Sequence, residues 1–323
     1  MTSGSVDALY RRISLPTPFP VGPVNAYLIP GEPPALIDCG VKSSLSIGAL
    51  EESLSEFGVR LESVGSIFLT HAHYDHSGAA VALGKRTGAT IHYHAESPER
   101  PERSRGEFME ALRRYGAPDE LVAMLSAMNQ HGERFAEPLE SAPRRALVAD
   151  GQVFRAGGLK LRALHTPGHN AGHLCFLVED AGVIFCGDLL LPTITPNPLP
   201  HFDAREKRGR RASLGLYLGS VARVESYGAL LGLGGHGDPM GDTLEVARHA
   251  RENIERRSEA VRALCLLHPG ATVFSLAERL FQEKEGIGRV LAFTEVLAHC
   301  DLLEDRGELE VDHGAGRIVR LLG

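Results

Sequence analysis

Short apolar runs alternate with amphipathic stretches through the first hundred positions of this chain. NAYLIPGEPPALID, residues 25–38, sets two apolar runs on either side of Pro and Gly and predicts a strand hairpin. Residues 44–57 have helical spacing. VGSIFLT, residues 64–70, predicts a buried strand ending in polar residues. HAHYDHSGAAVALGKRTG then reads as a loop followed by a helix, and residues 90–94 as another strand. Strand alternating with helix indicates an α/β layered fold.

From Glu96 to about Ala142 the texture changes. Phe108, Met109, Leu112, Leu121, Met124, Leu125 and Met128 fall at helical spacing in two amphipathic stretches, 106–115 and 118–130. Two readings stand: a helix pair packed on its own core, or a lid bordering a cleft. Strands return over 147–188, with turns at Asp150-Gly151 and Gly157-Gly158 and a hairpin around 179–182. The Pro-rich LPTITPNPLP is a loop. A helix near 212–227 and a strand near 230–233 follow. One long helix runs from Asp242 to about Leu267, with Asp242 as N-cap and Glu245 at the capping-box position. The tail predicts a helix over 275–282 capped by Ser275, a second over 290–303, and a hairpin. In that hairpin Leu309 and Val311 face Ile318, Val319 and Leu321 around a Gly turn. Helix, helix and hairpin form a winged-helix pattern. The division predicted is 1–240, with 96–142 as a helical insertion, and 241–323 as long helix plus winged helix.

Length and composition agree with this picture. A chain of 323 residues suits a large domain plus a small one. A hydrophobic fraction of 43% excludes global disorder. The net charge of -7 repels phosphate backbones, so bulk electrostatics argue against nucleic acid; RNA would need a local basic patch. REKRGRR, residues 205–211, is the strongest such run. It reads either as a solvated helix approach or as a contact for a CoA phosphate, a glutathione carboxylate or an RNA backbone. Five widely spaced cysteines with no CxxC pair indicate reduced thiols, not a disulfide framework or a cysteine zinc site. MTSGSVDALYRR lacks a secretory apolar segment, and no apolar run reaches the roughly 18 residues of a membrane span. The expectation is a cytoplasmic protein with no membrane contact.

The candidate chemistry centres on HAHYDH, residues 71–76. His71, His73, Asp75 and His76 crowd three imidazoles and a carboxylate just past a buried strand. Imidazole nitrogen and carboxylate oxygen are zinc donors at about 2.0–2.2 Å. A catalytic zinc needs only three protein ligands, so four donors on one turn point to two metals.

HxHxDH after a strand resembles the metallo-β-lactamase superfamily. The remaining motifs follow in order: Asp38 in LIDCG, His169 in TPGH, Asp188 in FCGD and His236 in GGHGD. The resemblance covers roughly 14–240 and implies a four-layer αββα sandwich with the site at the edge of two facing sheets. It further implies that His71, His73 and His169 hold one metal, that Asp75, His76 and His236 hold another, and that Asp188 bridges them. Asp38 would anchor the histidine loop, and Asp75 would also carry a proton as the catalytic residue. Two cations about 3.5–4 Å apart would share and activate a water for attack on carbon or phosphorus. Zinc is the expected metal, with iron or manganese as replacements.

Nearby residues carry weaker readings. Tyr74 packs beside the loop or bonds a leaving group; His92, His94 and Cys186 read as structural, His173 as a buttress, and His201 as a pocket residue. The tail resembles the branch with a C-terminal winged helix, related to glyoxalase II-like hydrolases and to the β-lactamase-like endoribonuclease. Three functions remain open: hydrolysis of a thioester, ester or lactone of a small substrate; a metal-dependent endoribonuclease; and a non-catalytic interaction protein. A homodimer is compatible with the apolar helices.

Overall fold

A computed structural model of the chain describes residues 8–97, 101–202, 206, 208–228 and 230–321. Its first sheet has six strands in spatial order: β1 (Arg11–Leu15), β2 (Val24–Ile29), β3 (Ala35–Ile37), β4 (Ser66–Phe68), β5 (Thr90–His94) and β6 (Arg145–Val148). β1 to β3 meander antiparallel, while β3 to β6 run parallel. Parallel neighbours require crossovers. α1 (Ser44–Glu56) supplies the first, α2 (Tyr74–Ser77) with α3 (Ala80–Thr87) the second, and α4 (Pro101–Arg114) with α5 (Asp119–Gly132) the third. Ser43 starts α1 by accepting a hydrogen bond from the Ser46 N–H. β1 is an addition to the sequence reading; only Ile13 and Leu15 of RRISL turn inward, too short a pattern to stand out.

The second sheet contains β7 (Val153–Ala156), β8 (Leu159–His165), β9 (Leu174–Val178) and β10 (Val183–Gly187), all antiparallel. A ribbon of β11 (His201–Phe202) and β12 (Arg210–Arg211) follows, then α6 (Ser213–Glu225) and β13 (Leu231–Gly234), which joins β10 in parallel. The C-terminal part is α7 (Thr243–Leu267), α8 (Val273–Leu280), α9 (Ile287–Asp305) and the hairpin of β14 (Leu309–Asp312) with β15 (Arg317–Leu321).

Three apolar interfaces fix the layering. Tyr27, Ile37 and Phe68 of the first sheet meet Leu161, Phe176, Phe185 and Leu233 of the second. Leu28, Leu36, Ile67 and Ile91, on the other face of the first sheet, pack with Leu50, Leu54, Val81 and Leu83 of α1 and α3. Leu177, Ile184 and Cys186, on the outer face of the second sheet, pack with Leu214, Tyr217 and Val221 of α6 and Ala247 and Ile254 of α7. The order is therefore helix, sheet, sheet, helix. Strands buried on both faces need no alternation, which is why β2, β9 and β10 are buried at every position, with Asn25 as the one polar side chain.

A fourth core joins segments distant in sequence. Leu112, Tyr115, Leu121, Val122 and Leu125 of the 101–132 region are buried together with Phe274, Phe293, Leu297 and Cys300 of the C-terminal helices. Phe108, Met109 and Met124 lie at its margin; the side chain of Met128 is outside the described residues. Two caps can be compared with expectation. Asp242 does cap α7, accepting from the Leu244 N–H at 2.8 Å. The cap of α8 is Thr272 and not Ser275: the Thr272 hydroxyl accepts from the Ser275 N–H at 3.2 Å, so this helix starts and ends two residues earlier than predicted. The reason is that Val273 and Phe274 are themselves core residues, which draws the first turn inward. Among the described residues no helix is long and apolar enough to cross a membrane.

The basic run is absorbed by the fold. Arg210 is 2% exposed and makes two bonds to the Asp301 carboxylate, at 2.8 and 2.6 Å, and one to the Tyr115 hydroxyl at 2.6 Å. It thereby ties β12 to the end of α4 and to α9. Arg208 pairs with Asp305, and Arg211 with Glu96. Arg205 and Lys207 lie outside the described residues. Removing one partner of a buried ion pair leaves the other charge stranded, at about 3–5 kcal/mol. Arg210→Ala should therefore lower the unfolding free energy in urea by about 3 kcal/mol or more. Arg211→Ala, at a partly exposed pair, should change it by less than about 1 kcal/mol.

Candidate metal centre

Loops at the ends of strands from both sheets are stitched together by main-chain bonds at one place. The Thr70 carbonyl, beyond β4, accepts from the Leu174 N–H at the start of β9, at 2.7 Å. The Gly235 carbonyl, beyond β13, accepts from the Asn25 N–H of β2, and the Gly235 N–H donates to the Gly187 carbonyl closing β10, each at 2.7 Å. These bonds hold the segments that carry His71, His236 and Asp188 side by side. Glycine is required at both contact points. A Cβ on Gly235 would lie 2.3 Å from Asp188 Oδ1 and 2.4 Å from His76 Cε1. Gly187 has φ +47°, and a Cβ there would meet Thr70 at 2.7 Å.

The HAHYDH segment changes conformation midway. His73 is extended and caps the single turn of α2, so Asp75 and His76 project from that turn while His71 still belongs to the strand end. His71 Nε2 is 2.9 Å from His73 Nδ1, and His169 Nε2 is 3.0 Å from the same atom. Possible ligand atoms fall into three overlapping groups, His71/His73/His169, Asp75/His76/His236 and His71/His76/Asp188, each within 4.8 Å. Asp188 lies between the first two: Oδ1 is 3.4 Å from His76 Nε2, while Oδ2 is 3.6 Å from His169 Nε2 and 3.7 Å from His236 Nε2. Asp75 Oδ2 is 3.3 Å from His236 Nε2. All seven residues expected from the sequence thus come together in space.

The outward-facing nitrogens decide the tautomers. His169 Nδ1 faces the Asn197 carbonyl at 3.0 Å, and His236 Nδ1 faces the Pro23 carbonyl at 2.8 Å. A carbonyl only accepts, so both Nδ1 atoms carry hydrogen. His76 Nδ1 faces Asp38 Oδ2 at 2.8 Å and donates likewise. The Thr70 hydroxyl spends its hydrogen on Asp38 Oδ2 at 2.7 Å, so it accepts from His71 Nδ1 at 3.1 Å. In their neutral forms these four rings therefore turn bare Nε2 lone pairs inward, the form in which imidazole binds metal. Asp38, expected as an anchor of the loop, also accepts from the Thr70 N–H at 2.8 Å. It does so with φ +56°, a left-handed conformation that Asp tolerates better than most residues.

The donor set fits a cation on two grounds. His76 Nε2, Asp188 Oδ1 and His236 Nε2 are buried without a hydrogen-bond partner among the described residues. Buried polar atoms are normally bonded, so such a group of exceptions calls for a ligand. The charge balance gives the second ground. Burial disfavours a charged His76 ring, yet Asp188, Asp75 and Asp38 hold its pKa well above that of a free imidazole. Burial and the neighbouring His76, His73 and His169 rings push His71 well below it. Burial also opposes ionisation of Asp188, but His76, His169 and His236 override it and keep the carboxylate ionised. The carboxylates thus draw positive charge into the pocket, as a proton on the His76 ring or as a cation in its place.

The surrounding candidates separate cleanly. His173 supports Asp188, accepting its N–H at Nε2 (3.1 Å) while Nδ1 faces the Thr166 hydroxyl at 2.8 Å. His92 stacks on Phe68 at 4.4 Å, and burial lowers its pKa to about 4. His94 stacks on His165 at 3.9 Å. Cys186 is fully buried in the packing under α6. Tyr74 is half-buried at the start of α2, and His201 is buried in β11. Sequence reasoning missed Thr70, Thr166, and the carbonyls of Pro23 and Asn197. The hydroxyls sat beside recognised histidines, in LTH and HTPGH, and were legible in principle; a main-chain carbonyl leaves no trace in the sequence.

Comparison with known proteins places this geometry. The sequence matches the Metallo-beta-lactamase superfamily over residues 19–265. It is 27% identical to a probable metallo-hydrolase of Bacillus subtilis, over 90% of this chain and 91% of that protein. A shorter stretch is 31% identical to an atrochrysone carboxyl ACP thioesterase of Aspergillus terreus, over 36% of this chain and 33% of that one. A metallo-beta-lactamase family protein from Thermus thermophilus has a similar structure, with TM-score 0.82, 29% identity, and coverage of 97% and 98% of the two chains.

The crowding at Gly235 yields a direct test. Gly235→Ala drives a methyl group into Asp188 and His76, so the affinity for divalent metal should fall by about tenfold or more, measured by chelator competition and elemental analysis. Unchanged metal affinity would mean that these two side chains are not ligands.

Proposed function

This chain belongs to the metallo-beta-lactamase superfamily, and on that premise we propose that it uses two divalent cations to hydrolyse a thioester, ester or lactone of a small substrate. In this reading His71, His73 and His169 would hold one cation and Asp75, His76 and His236 the other, with the Asp188 carboxylate available to either. The observation that carries it is the inward convergence of bare ring nitrogens and carboxylate oxygens, three of these atoms buried without a partner among the described residues. An all-nitrogen-and-oxygen set rich in imidazoles favours zinc, with iron or manganese as alternatives set by availability. The chemistry such a pair supplies is Lewis acidity and a water made nucleophilic near neutral pH.

The protein's own contribution is orientation and proton handling. Asp38, Thr70, Pro23 and Asn197 fix four rings through their outer nitrogens, so the donors need no reorganisation. Asp75 is the residue assigned to take and return a proton: its side chain is 12% exposed, slightly more open than that of Asp188 at 9%. The thioester is the preferred bond because fungal thioesterases are among the relatives.

RNA cleavage draws no support from the basic run, whose described arginines are engaged by Asp301, Asp305 and Glu96. We read the C-terminal helices and hairpin as a winged-helix unit used for packing. Its second helix, α9, is buried at every position from Val296 to Leu303, which leaves no face for a nucleic-acid groove.

A panel of acyl-CoA, acyl-glutathione, a lactone and single-stranded RNA, each with and without chelator, tests the reading. Acyl substrates should be hydrolysed, and both metal removal and Asp75→Ala should reduce kcat/KM by at least about 100-fold. Full turnover by metal-free protein would refute it, and cleavage of RNA alone would replace it with the nuclease reading.

A further inference from the structure

Of the four groups that anchor the ring nitrogens, Thr70, Asp38 and Pro23 belong to the strand ends and turns of the first sheet. The fourth, the Asn197 carbonyl, lies in the loop between Asp188 and β11, which carries no helix or strand. A carbonyl on such a loop orients a ring only if the loop is itself held. Here it is held from α9. Asn197 Nδ2 donates to the Leu291 carbonyl at 2.8 Å, and Asn197 Oδ1 accepts from the Thr294 hydroxyl at 2.9 Å. These two partners determine the amide orientation, since a flipped amide would set oxygen against the Leu291 carbonyl. Thr294 is 1% exposed, and its hydroxyl hydrogen lies between two acceptors at 2.9 Å, Asn197 Oδ1 and the Leu291 carbonyl one turn back, so the Asn197 side chain closes a three-membered network on α9. The same loop is pinned on either side, by the Ser213 hydroxyl donating to the Leu199 carbonyl at 2.7 Å and by Asn253 donating to Thr195 at 3.4 Å.

We propose that Asn197 is a positioning residue for His169, and that the Thr294 hydroxyl of α9 sets it. The inference rests on the metal-centre reading in one respect only, that His169 Nε2 is a ligand atom. Asn197 clamped on α9 keeps its carbonyl 3.0 Å from His169 Nδ1, which keeps hydrogen on Nδ1 and the lone pair on Nε2. The C-terminal helices thereby act on the first cluster through Asn197, and their docking and its metal occupancy are coupled.

Full-length Asn197→Ala, Thr294→Val and Thr294→Ser test this. Zinc affinity is measured by chelator competition, and the His169 tautomer by nitrogen-15 NMR of metal-free protein. Asn197→Ala and Thr294→Val should weaken zinc binding by about tenfold, the lower end of the effect of disturbing a ligand's outer partner. Both should convert the His169 ring from a single Nδ1–H form to a mixture. Thr294→Ser, which restores the hydroxyl, should recover both values. The proposal is overturned if either disruptive variant keeps wild-type zinc affinity and a single tautomer, or if Thr294→Ser behaves as Thr294→Val does. If Thr294→Val fails to fold, Asn197→Ala, on a half-buried loop residue, carries the test. Should wild-type protein bind no zinc, the metal reading falls, and the tautomer measurement still decides whether Asn197 and Thr294 position the ring.

Discussion

Lone pairs aimed at one another in a dry interior repel, and this protein is built around such an arrangement. Four imidazoles are obliged by their outer partners to present Nε2 inward, beside His73 and two carboxylates. Water could relieve the repulsion, but His71 and His76 are fully buried. Two reliefs remain: a hydrogen on His73 Nδ1, which faces His71 Nε2 and His169 Nε2 at 2.9 and 3.0 Å, and positive charge. Much of the architecture serves to keep the donors from relaxing apart: the main-chain bonds from Thr70 to Leu174 and from Gly235 to both Asn25 and Gly187, the glycines that admit close approach, and the left-handed Asp38. Strain of this kind persists only where surrounding structure over-determines it.

The legible part of the molecule was the part written locally. HAHYDH, TPGH, FCGD and GGHGD each place a donor beside a strand end, and the sequence pattern located most of those strands. Ser66–Phe68 is shorter than the apolar run containing it, because after Leu69 makes the last bond to β5, at the His92 carbonyl, the Thr70 N–H turns to the Asp38 side chain. The illegible part depended on distant partners. Nothing in residues 106–125 says that their apolar faces belong with Phe274 and Phe293. REKRGRR looked like a surface charge run because Asp301, which buries Arg210, lies 91 positions away. Thr294 reads as one more residue in an apolar helix until the loop carrying Asn197 is laid against it.

The two halves of the chain contribute different things. The sheets supply the donors and three of their four anchors; the helices beyond residue 240 supply the support under the fourth. Folds host many reactions, and function is argued from the site. Here the fold belongs to a superfamily, and the support from α9 and the Arg210–Asp301 pair are what this chain's loops add around its donors. Both act on the segment between Asp188 and α6, which borders the donors.

The core shared by α4, α5 and the C-terminal helices has a consequence for biosynthesis. Leu112, Tyr115 and Leu121 leave the ribosome well over a hundred residues before Phe274 and Phe293. During that interval the amphipathic pair has no native surface to cover it. Contacts of such long sequence separation form late, and exposed apolar faces on nascent chains recruit chaperones or self-associate. The apolar faces of residues 108–125 therefore gain their native cover only when the C-terminal helices have been made.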